Sequence, residues 1–330
     1  MRILARHDMD INIIMPAYNG HRTIRQAISS VASQDALDKI KLTVVDDNSE
    51  QPYDYLLKDY HYMNIEVVRK QTNTGCGQSR QYGVDRCNSK YFMFLDTGDC
   101  LYSPCVVKQL CELMESEMLD SLYTDFLEEL KNGEYRIRKG TTGWMHGKVF
   151  RTDYIRSNNI RFNNTRLHED HAYNIIQLYS GGKNLCENII SYIWKYNESS
   201  LTYALNDKSN FMYSMDNYIE NAKYTISELI GRGVDVEIIK DVIKKYVISM
   251  YRHLNDVIQR GDQNERLLLL QKTRLLIQKF PTDLMGSITY SYMSKDFYKN
   301  EPIQDMANRS IIMNVTFKEY CKLIDCCIDN

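Results

Sequence analysis

The chain lacks the features that would place it in a membrane or outside the cell. No apolar run approaches the roughly 20 residues needed to span a bilayer, and the N-terminus has no apolar segment typical of a secretory signal. The nine cysteines form no C-x-x-C pair and no secretory disulfide framework. We therefore expect a cytoplasmic protein with reduced thiols and no transmembrane segment.

The chain also has little net charge. It contains 41 Lys and Arg residues against 43 Asp and Glu residues, which gives a formal net charge of -2. Nothing global therefore requires nucleic acid or an anionic membrane as a partner. With 330 residues, of which 43% are apolar, the chain is long enough for one large domain and a smaller one.

Strand and helix signals alternate over the first two hundred residues. Apolar runs predict strands, and the segments between them carry apolar residues at helical spacing. The predicted strands include Ile11–Met15, Lys41–Val45, Ile65–Arg69, Tyr91–Leu95, Ser121–Glu129 and Tyr135–Arg138. The predicted helices include 23–34, 78–87, 105–117 and 169–179. This alternation predicts an α/β fold with a mostly parallel sheet flanked by helices.

The pattern changes after about Asn206, where amphipathic segments continue with few strand signals. Two such segments are 218–230 and 235–258. We predict an α/β domain over residues 1–205 and a helical domain over residues 206–330. The helical domain would select the acceptor or form a homo-oligomer.

Polar residues follow several of the predicted strands. The segments are Pro16-Ala17-Tyr18-Asn19-Gly20, Asp46-Asp47-Asn48-Ser49 and Asp96-Thr97-Gly98-Asp99, with Asn73-Thr74-Gly75-Cys76-Gly77 leading into Ser79-Arg80. Open α/β sheets bind ligands beyond the carboxyl ends of their strands. Carboxylates, an arginine and a glycine turn at that edge indicate a site for a phosphorylated, metal-bound ligand.

Each segment also has a plainer interpretation. Asp46-Asp47 can bind a nucleobase or ribose, or it can form a turn or a helix cap. Gly75 and Arg80 suit a phosphate at a helix N-terminus, although the spacing is not G-x-G-x-x-G. Asp96 and Asp99 offer oxygen ligands for Mg²⁺ or Mn²⁺, or belong to an ordinary polar turn.

A second acidic pair, Glu169-Asp170, opens a predicted helix. Acidic residues are favourable at a helix N-terminus for electrostatic reasons alone. As a functional feature, one of these carboxylates can act as the general base towards a hydroxyl nucleophile.

Taken together, the order and spacing of these segments resemble the family-two inverting nucleotide-sugar glycosyltransferases, which have the GT-A fold. The resemblance covers roughly residues 9–203. Beyond the segments above it includes Gly147-Lys148-Val149-Phe150-Arg151, the Glu169-Asp170 motif and Trp194-Lys195-Tyr196.

The resemblance implies roles for individual residues. The nucleotide or its diphosphate would be bound by Pro16, Tyr18, Asn19, Asp47, Gly75, Arg80 and Asp96, with Lys148 and Lys195 as further contacts to diphosphate or acceptor. Asp99 and Asp96 would hold Mn²⁺ or Mg²⁺. Asp170 would be the catalytic base, supported by Glu169.

The predicted reaction moves a sugar from a nucleoside-diphosphate sugar, by family habit a UDP-sugar, to an acceptor hydroxyl. The acceptor would be a polysaccharide, a lipid-linked saccharide, a teichoic-acid-like polymer or a modified nucleic-acid base. Gly98 and Asn197, where the family often has Asp and a basic residue, motivate a non-catalytic sugar-nucleotide-binding protein as the alternative. A sugar-phosphate nucleotidyltransferase fits less well, because no glycine-rich triphosphate loop follows the first strand.

Overall fold

The computed structural model describes residues 11–198, 200, 211–260, 268–269 and 271–272, with the backbone alone for residue 211 and residues 251–260. The chain divides into two compact units, residues 1–208 and 209–330. The boundary predicted at residues 205 and 206 lies outside the described residues.

The first unit contains a nine-stranded sheet in its described residues. The strands are β1 (Ile11–Ala17), β2 (Ile40–Asp46), β3 (Asn64–Arg69), β4 (Tyr91–Phe94), β5 (Cys100–Leu101), β6 (Ser121–Glu129), β7 (Tyr135–Arg138), β8 (Lys148–Arg151) and β9 (Asn184–Trp194). Their order is β3-β2-β1-β4-β8-β6-β9-β5, and β7 pairs with β6.

Six helices accompany this sheet in the described part of the first unit, together with a short 3₁₀ turn at Leu37–Lys39. They are α1 (Ile24–Ala32), α2 (Tyr55–Asp59), α3 (Cys76–Arg86), α4 (Val106–Ser116), α5 (Thr152–Ser157) and α6 (Glu169–Leu178). In α1 the four apolar residues at helical spacing are all buried: Ile24, Ala27, Ile28 and Val31.

Strand β1 is buried along its whole length, because it has a parallel neighbour on each side and because α1 and α3 pack on the sheet. Its register pairs Ile11 with both Ile40 of β2 and Tyr91 of β4. The carboxyl ends of these three strands therefore lie side by side. The polar segments that follow them are brought to one edge of the sheet.

The sheet is mixed rather than mostly parallel. Strands β1 to β4 pair in parallel, but β8 runs antiparallel to both β4 and β6. β8 was not predicted from the sequence, because a run of four residues is too short to show the alternation typical of a strand. The two-residue strand β5 and the short helices α2 and α5 were also missed, because each is too short to show a hydrophobic period.

The second unit is helical in its described residues, with α7 (Phe211–Gly231) and α8 (Val236–Arg260). Tyr246 of α8 lies against α7, where its ring centroid is 5.3 Å from that of Tyr218 and its hydroxyl is 2.9 Å from that of Thr225. Over the described residues, no helix is long and apolar enough to cross a membrane.

Candidate active site

Asp47 closes the glycine-containing loop that precedes α3. Its carboxylate accepts hydrogen bonds from the backbone amides of Thr74 at 3.0 Å and Gly75 at 2.7 Å. The ammonium of Lys70 lies 2.6 Å from the same carboxylate. Gly75 has φ +93°, a conformation that suits glycine. Asp47 is buried, and it links the end of β2 to the loop before α3.

The segment after β1 is anchored to the loop after β2. Pro16 is buried in the strand, whereas the ring of Tyr18 is 55% exposed. Asn19 donates its backbone N–H to the hydroxyl of Ser49 at 2.9 Å and accepts from the amide of Glu50 at 2.9 Å. Tyr18 is therefore presented to solvent from a fixed turn at the sheet edge.

Arg80 lies at the centre of the acidic residues. One of its terminal nitrogens is 2.9 and 3.1 Å from the two carboxylate oxygens of Asp96, and the other is 3.4 Å from Glu169. The guanidinium is buried and lies 5.8 Å from the ring centroid of Phe94. Arg80 thus joins the turn after β4 to the start of α6.

Glu169 is pressed against α3 at Gly77. A Cβ atom at Gly77 would lie 2.3 Å from Cγ of Glu169, so only glycine allows this approach. The start of α6, and with it the Glu169-Asp170 pair, is therefore held close to the glycine loop and to Arg80.

Both carboxyl groups at the start of α6 have perturbed acidities. Burial and the neighbouring charge of Asp170 raise the pKa of Glu169 to about 7. Burial also raises the pKa of Asp170, although Arg80 and the amide of His171, which is 2.8 Å away, oppose the shift. A raised carboxyl pKa suits a group that accepts and releases a proton.

Asp96, Asp99 and His146 form a cluster of potential metal ligands. One ligand atom from each residue lies within 4.8 Å of the other two. Nε2 of His146 is 3.8 Å from Asp99 and 4.0 Å from Asp96. Nδ1 of His146 is buried, and it has no hydrogen-bond partner in the described part of the chain.

Asp99 is fixed by two further contacts. It accepts hydrogen bonds from the hydroxyl of Tyr192 at 2.6 Å and from the backbone amide of Lys195 at 2.9 Å. Burial and the charge of Asp96 raise the pKa of Asp99 to about 8. Burial is the larger cause of this shift, because Asp96 is itself paired with the guanidinium of Arg80.

The donor set of this cluster fits a divalent cation. Two carboxylates and an imidazole are common ligands for Mn²⁺ and related ions. A cation would offset the mutual repulsion of Asp96 and Asp99. The third ligand would be Nε2 of His146, which faces both carboxylates and was not predicted from the sequence.

Two predicted ligand contacts have other partners in the structure. Lys148 is 1% exposed, and its ammonium donates to the backbone carbonyls of Trp144 and His146. Its predicted contact to diphosphate or acceptor does not match this buried position. The Lys195 ammonium is 2.7 Å from Glu129 and 3.1 Å from the hydroxyl of Tyr135, so it lies against the β6–β7 hairpin.

The structure therefore brings most of the predicted residues together. Contacts run from Asp47 through the glycine loop to Glu169, then through Arg80 to Asp96. His146 and Tyr192 were not predicted from the sequence. A single histidine in a loop and a tyrosine within a strand carry no motif, so spatial proximity alone reveals them.

A protein-family model and several solved structures match this chain. Residues 12–174 match the family model described as Glycosyl transferase family 2. The chain carries a glycosyltransferase family 2 domain. Its sheet and flanking helices have the GT-A fold that its sequence motifs predicted.

Among curated relatives, the Bacillus subtilis protein named minor teichoic acid biosynthesis protein GgaB is 33% identical over 93 residues. The alignment covers 27% of this chain and 10% of GgaB, so the chain spans a small part of that relative's length.

Solved structures match over nearly the whole chain. TarS 1-349 of S. aureus, in complex with UDP-GlcNAc, has a TM-score of 0.71 at 15% identity, covering 97% of this chain and 92% of that one. The Pyrobaculum calidifontis mannosyltransferase PcManGT, in complex with GDP-Man and Mn²⁺, has a TM-score of 0.52 at 8% identity, with 96% and 86% covered. At these identities the likeness concerns the fold.

Proposed function

We propose that this glycosyltransferase moves a sugar from a UDP-sugar to an acceptor hydroxyl, with inversion at the anomeric carbon and a divalent cation bound. The observation that carries the proposal is the position of Arg80 between Asp96 and Glu169. The two contacts of Arg80 place the candidate cation cluster, which contains Asp96, next to the start of α6, which carries the candidate base Asp170. A protein that only binds the sugar nucleotide would need the cation cluster but no base.

The donor would bind at the edge formed by the ends of β1 and β2 and the glycine loop. Tyr18 is available to a nucleobase, since its ring is exposed. Asp47 shapes the loop whose amides and helix N-terminus suit a diphosphate. The complex of TarS with UDP-GlcNAc supports a UDP-sugar as the donor.

Asp96, Asp99 and His146 would hold the cation. A bound Mn²⁺ or Mg²⁺ would neutralise negative charge on the departing diphosphate. Tyr192 and the amide of Lys195 orient Asp99 for that purpose. The Mn²⁺ in the PcManGT complex supports metal dependence.

Asp170 would act as the general base. It takes the proton from the acceptor hydroxyl as the oxygen attacks the anomeric carbon, and the nucleoside diphosphate leaves from the opposite side. One displacement of this kind inverts the anomeric centre. Glu169, held by Arg80 and Gly77, fixes the first turn of the helix that carries the base.

A teichoic-acid-like polymer is the acceptor class that we favour. The support is the local identity to GgaB, which is named for teichoic acid biosynthesis. The acceptor hydroxyl would then belong to a polyol or sugar unit of an anionic chain. We also propose that residues 206–330 select this acceptor or mediate self-association.

Product analysis tests this function. The full chain is incubated with UDP-GlcNAc or another UDP-sugar, Mn²⁺ and a panel of polyol-phosphate, glycan and lipid-linked acceptors. We expect UDP release that depends on the acceptor, and a product of inverted anomeric configuration. Pyrophosphate release would instead indicate a nucleotidyltransferase. Tight donor binding without transfer or hydrolysis would indicate the non-catalytic alternative.

A further inference from the structure

Buried side chains donate hydrogen bonds to the backbone of the loop that carries His146. This loop, residues 142–146, lies between β7 and β8. The carbonyl oxygens of Thr142, Trp144 and His146 each lie within hydrogen-bond distance of a donor from a neighbouring element. Loop carbonyls are more often hydrated, so a set of protein donors beneath one loop indicates a fixed conformation.

Lys148, the first residue of β8, supplies a buried amine as a donor, and burial lowers the pKa of this amine to about 7. Its ammonium is almost fully buried and donates to the carbonyls of Trp144 and His146. It also lies 5.1 Å from the ring centroid of Tyr123. A buried ammonium is costly to maintain. The hydrogen bonds from Lys148 to the carbonyls of Trp144 and His146 offset part of the cost of burying the amine.

The catalytic helix α6 contributes the remaining donors. The side-chain amide of Asn174 donates to the carbonyls of Thr142 at 3.1 Å and Trp144 at 2.9 Å. Nδ1 of His171 lies 3.2 Å from the carbonyl of Thr142. Asn174 is completely buried. The loop is therefore tied to the helix that begins with Glu169 and Asp170.

The ring of His146 is held separately by aromatic packing. It stacks on Tyr192 with 4.7 Å between ring centroids and meets the edge of Phe126 at 5.0 Å. These contacts set the plane of the ring. The backbone of the loop sets the position from which the side chain of His146 extends, and Trp194, whose ring centroid is 5.3 Å away, packs on the same imidazole.

We infer that Lys148 is a positioning residue for His146: it fixes the 142–146 loop so that the imidazole faces Asp96 and Asp99. The inference rests on the proposed cation site. It gives Lys148 a role in cation affinity in place of a contact to diphosphate or acceptor. Groups behind the ligands of a metal site commonly alter its affinity by about 10- to 100-fold.

The test measures Mn²⁺ binding directly, by electron paramagnetic resonance of the free ion, with the full chain and without nucleotide. Lys148→Met removes the donors and keeps the length of the side chain. We expect its dissociation constant for Mn²⁺ to rise about 10-fold. The matched control is Lys108→Met, since Lys108 is an exposed residue of α4 remote from the loop. That variant should bind Mn²⁺ as the wild type does.

A double-mutant cycle with His146→Asn separates positioning from general destabilisation. If Lys148 acts through His146, adding Lys148→Met to His146→Asn should change the affinity by less than twofold. Full additivity of the two losses would overturn the inference, as would wild-type affinity in Lys148→Met. A wild-type chain that binds no Mn²⁺ would remove the proposed cation site itself, and the inference with it.

A second variant covers the case in which Lys148→Met does not fold by circular dichroism. Asn174→Leu is close in volume and removes the other side-chain donor to Trp144. It should weaken Mn²⁺ binding in the same direction, and the loss should again vanish in the His146→Asn background. Unchanged Mn²⁺ affinity in Asn174→Leu would then overturn the inference.

Discussion

Arg80 contacts Asp96 through one terminal nitrogen, which lies 2.9 and 3.1 Å from the two carboxylate oxygens. Its other terminal nitrogen reaches Glu169 at 3.4 Å. The arginine therefore pairs with the protein's own carboxylates on both sides. A guanidinium can span two acceptors in this way, whereas the compact ammonium of lysine cannot reproduce the fork.

Arg80→Lys should consequently lower kcat/KM by about 100-fold, because small displacements of reacting groups have effects of that size. The chain should keep its fold, since the positive charge is retained. Steady-state kinetics and circular dichroism measure the two effects. Arg86→Lys, at an exposed position of the same helix, is the control. Wild-type kinetics in Arg80→Lys would contradict the bridging role.

Gly77→Ala tests the close packing of α3 against Glu169. The added Cβ would lie 2.3 Å from Cγ of Glu169, so the first turn of α6 must shift. We expect a loss of about 1–3 kcal/mol in the free energy of unfolding and a marked fall in transfer. Chemical denaturation and kinetics measure these changes.

The control for Gly77→Ala is Gly98→Ala, where a Cβ would meet no atom within 4 Å in the described structure. That variant should retain its stability. Equal behaviour of the two alanine variants would show that the contact between Gly77 and Glu169 is not what positions α6.

The acidity of the Glu169-Asp170 pair predicts the pH dependence of transfer. Burial raises the pKa of Asp170, and burial with the charge of Asp170 raises the pKa of Glu169 to about 7. A base acts only when deprotonated, so the rate should fall as the pH decreases through these raised values. A profile of kcat from about pH 5 to about pH 8.5 measures the acid limb.

Glu169→Gln should move that acid limb to lower pH, because it removes from the coupled pair the carboxyl group whose pKa is raised to about 7. The comparison is made at saturating donor and Mn²⁺. An acid limb near pH 4 in the wild type, the usual range of a free carboxyl, would show that the pKa values of Glu169 and Asp170 are not raised.

Chelation tests the role of Asp96, Asp99 and His146. Treatment with EDTA should abolish transfer, and added Mn²⁺ should restore it. His146→Asn should then require about 10- to 100-fold more Mn²⁺ for half-maximal rate. His61→Asn, at an exposed site, should match the wild type. Full activity after chelation, verified by elemental analysis, would exclude a required cation.

The sequence predicted the parallel half of the sheet well. Strands such as β1 and β6 are long apolar or alternating runs, and β6 begins and ends at the predicted residues. The ends of β1, β2 and β4 also revealed Asp47, Asp96 and Asp99, because polar residues interrupt apolar runs there. The local sequence pattern is sufficient to predict a strand and the site residues after it where the strand is long and polar residues follow it.

The rest of the site depends on contacts between distant residues. His146 reaches Asp99 only because β8 inserts between β4 and β6, and the four residues of β8 carry no directional signal. Lys148 matched a family position, but it is buried, with its amine against the ring of Tyr123 and the carbonyls of Trp144 and His146. Such roles follow from tertiary structure and leave no local pattern.

Asp170→Asn gives the most direct test of the account. The substitution keeps the shape of the side chain and removes its ability to accept the proton, so transfer should fall by about 10³-fold. Asp153→Asn, an exposed acidic residue in the first turn of α5, should retain full transfer. Calorimetry with the UDP-sugar and Mn²⁺ should give a donor affinity for Asp170→Asn within about threefold of the wild type. Turnover of Asp170→Asn within tenfold of the wild type, at equal donor affinity, would contradict the assignment of Asp170 as the base.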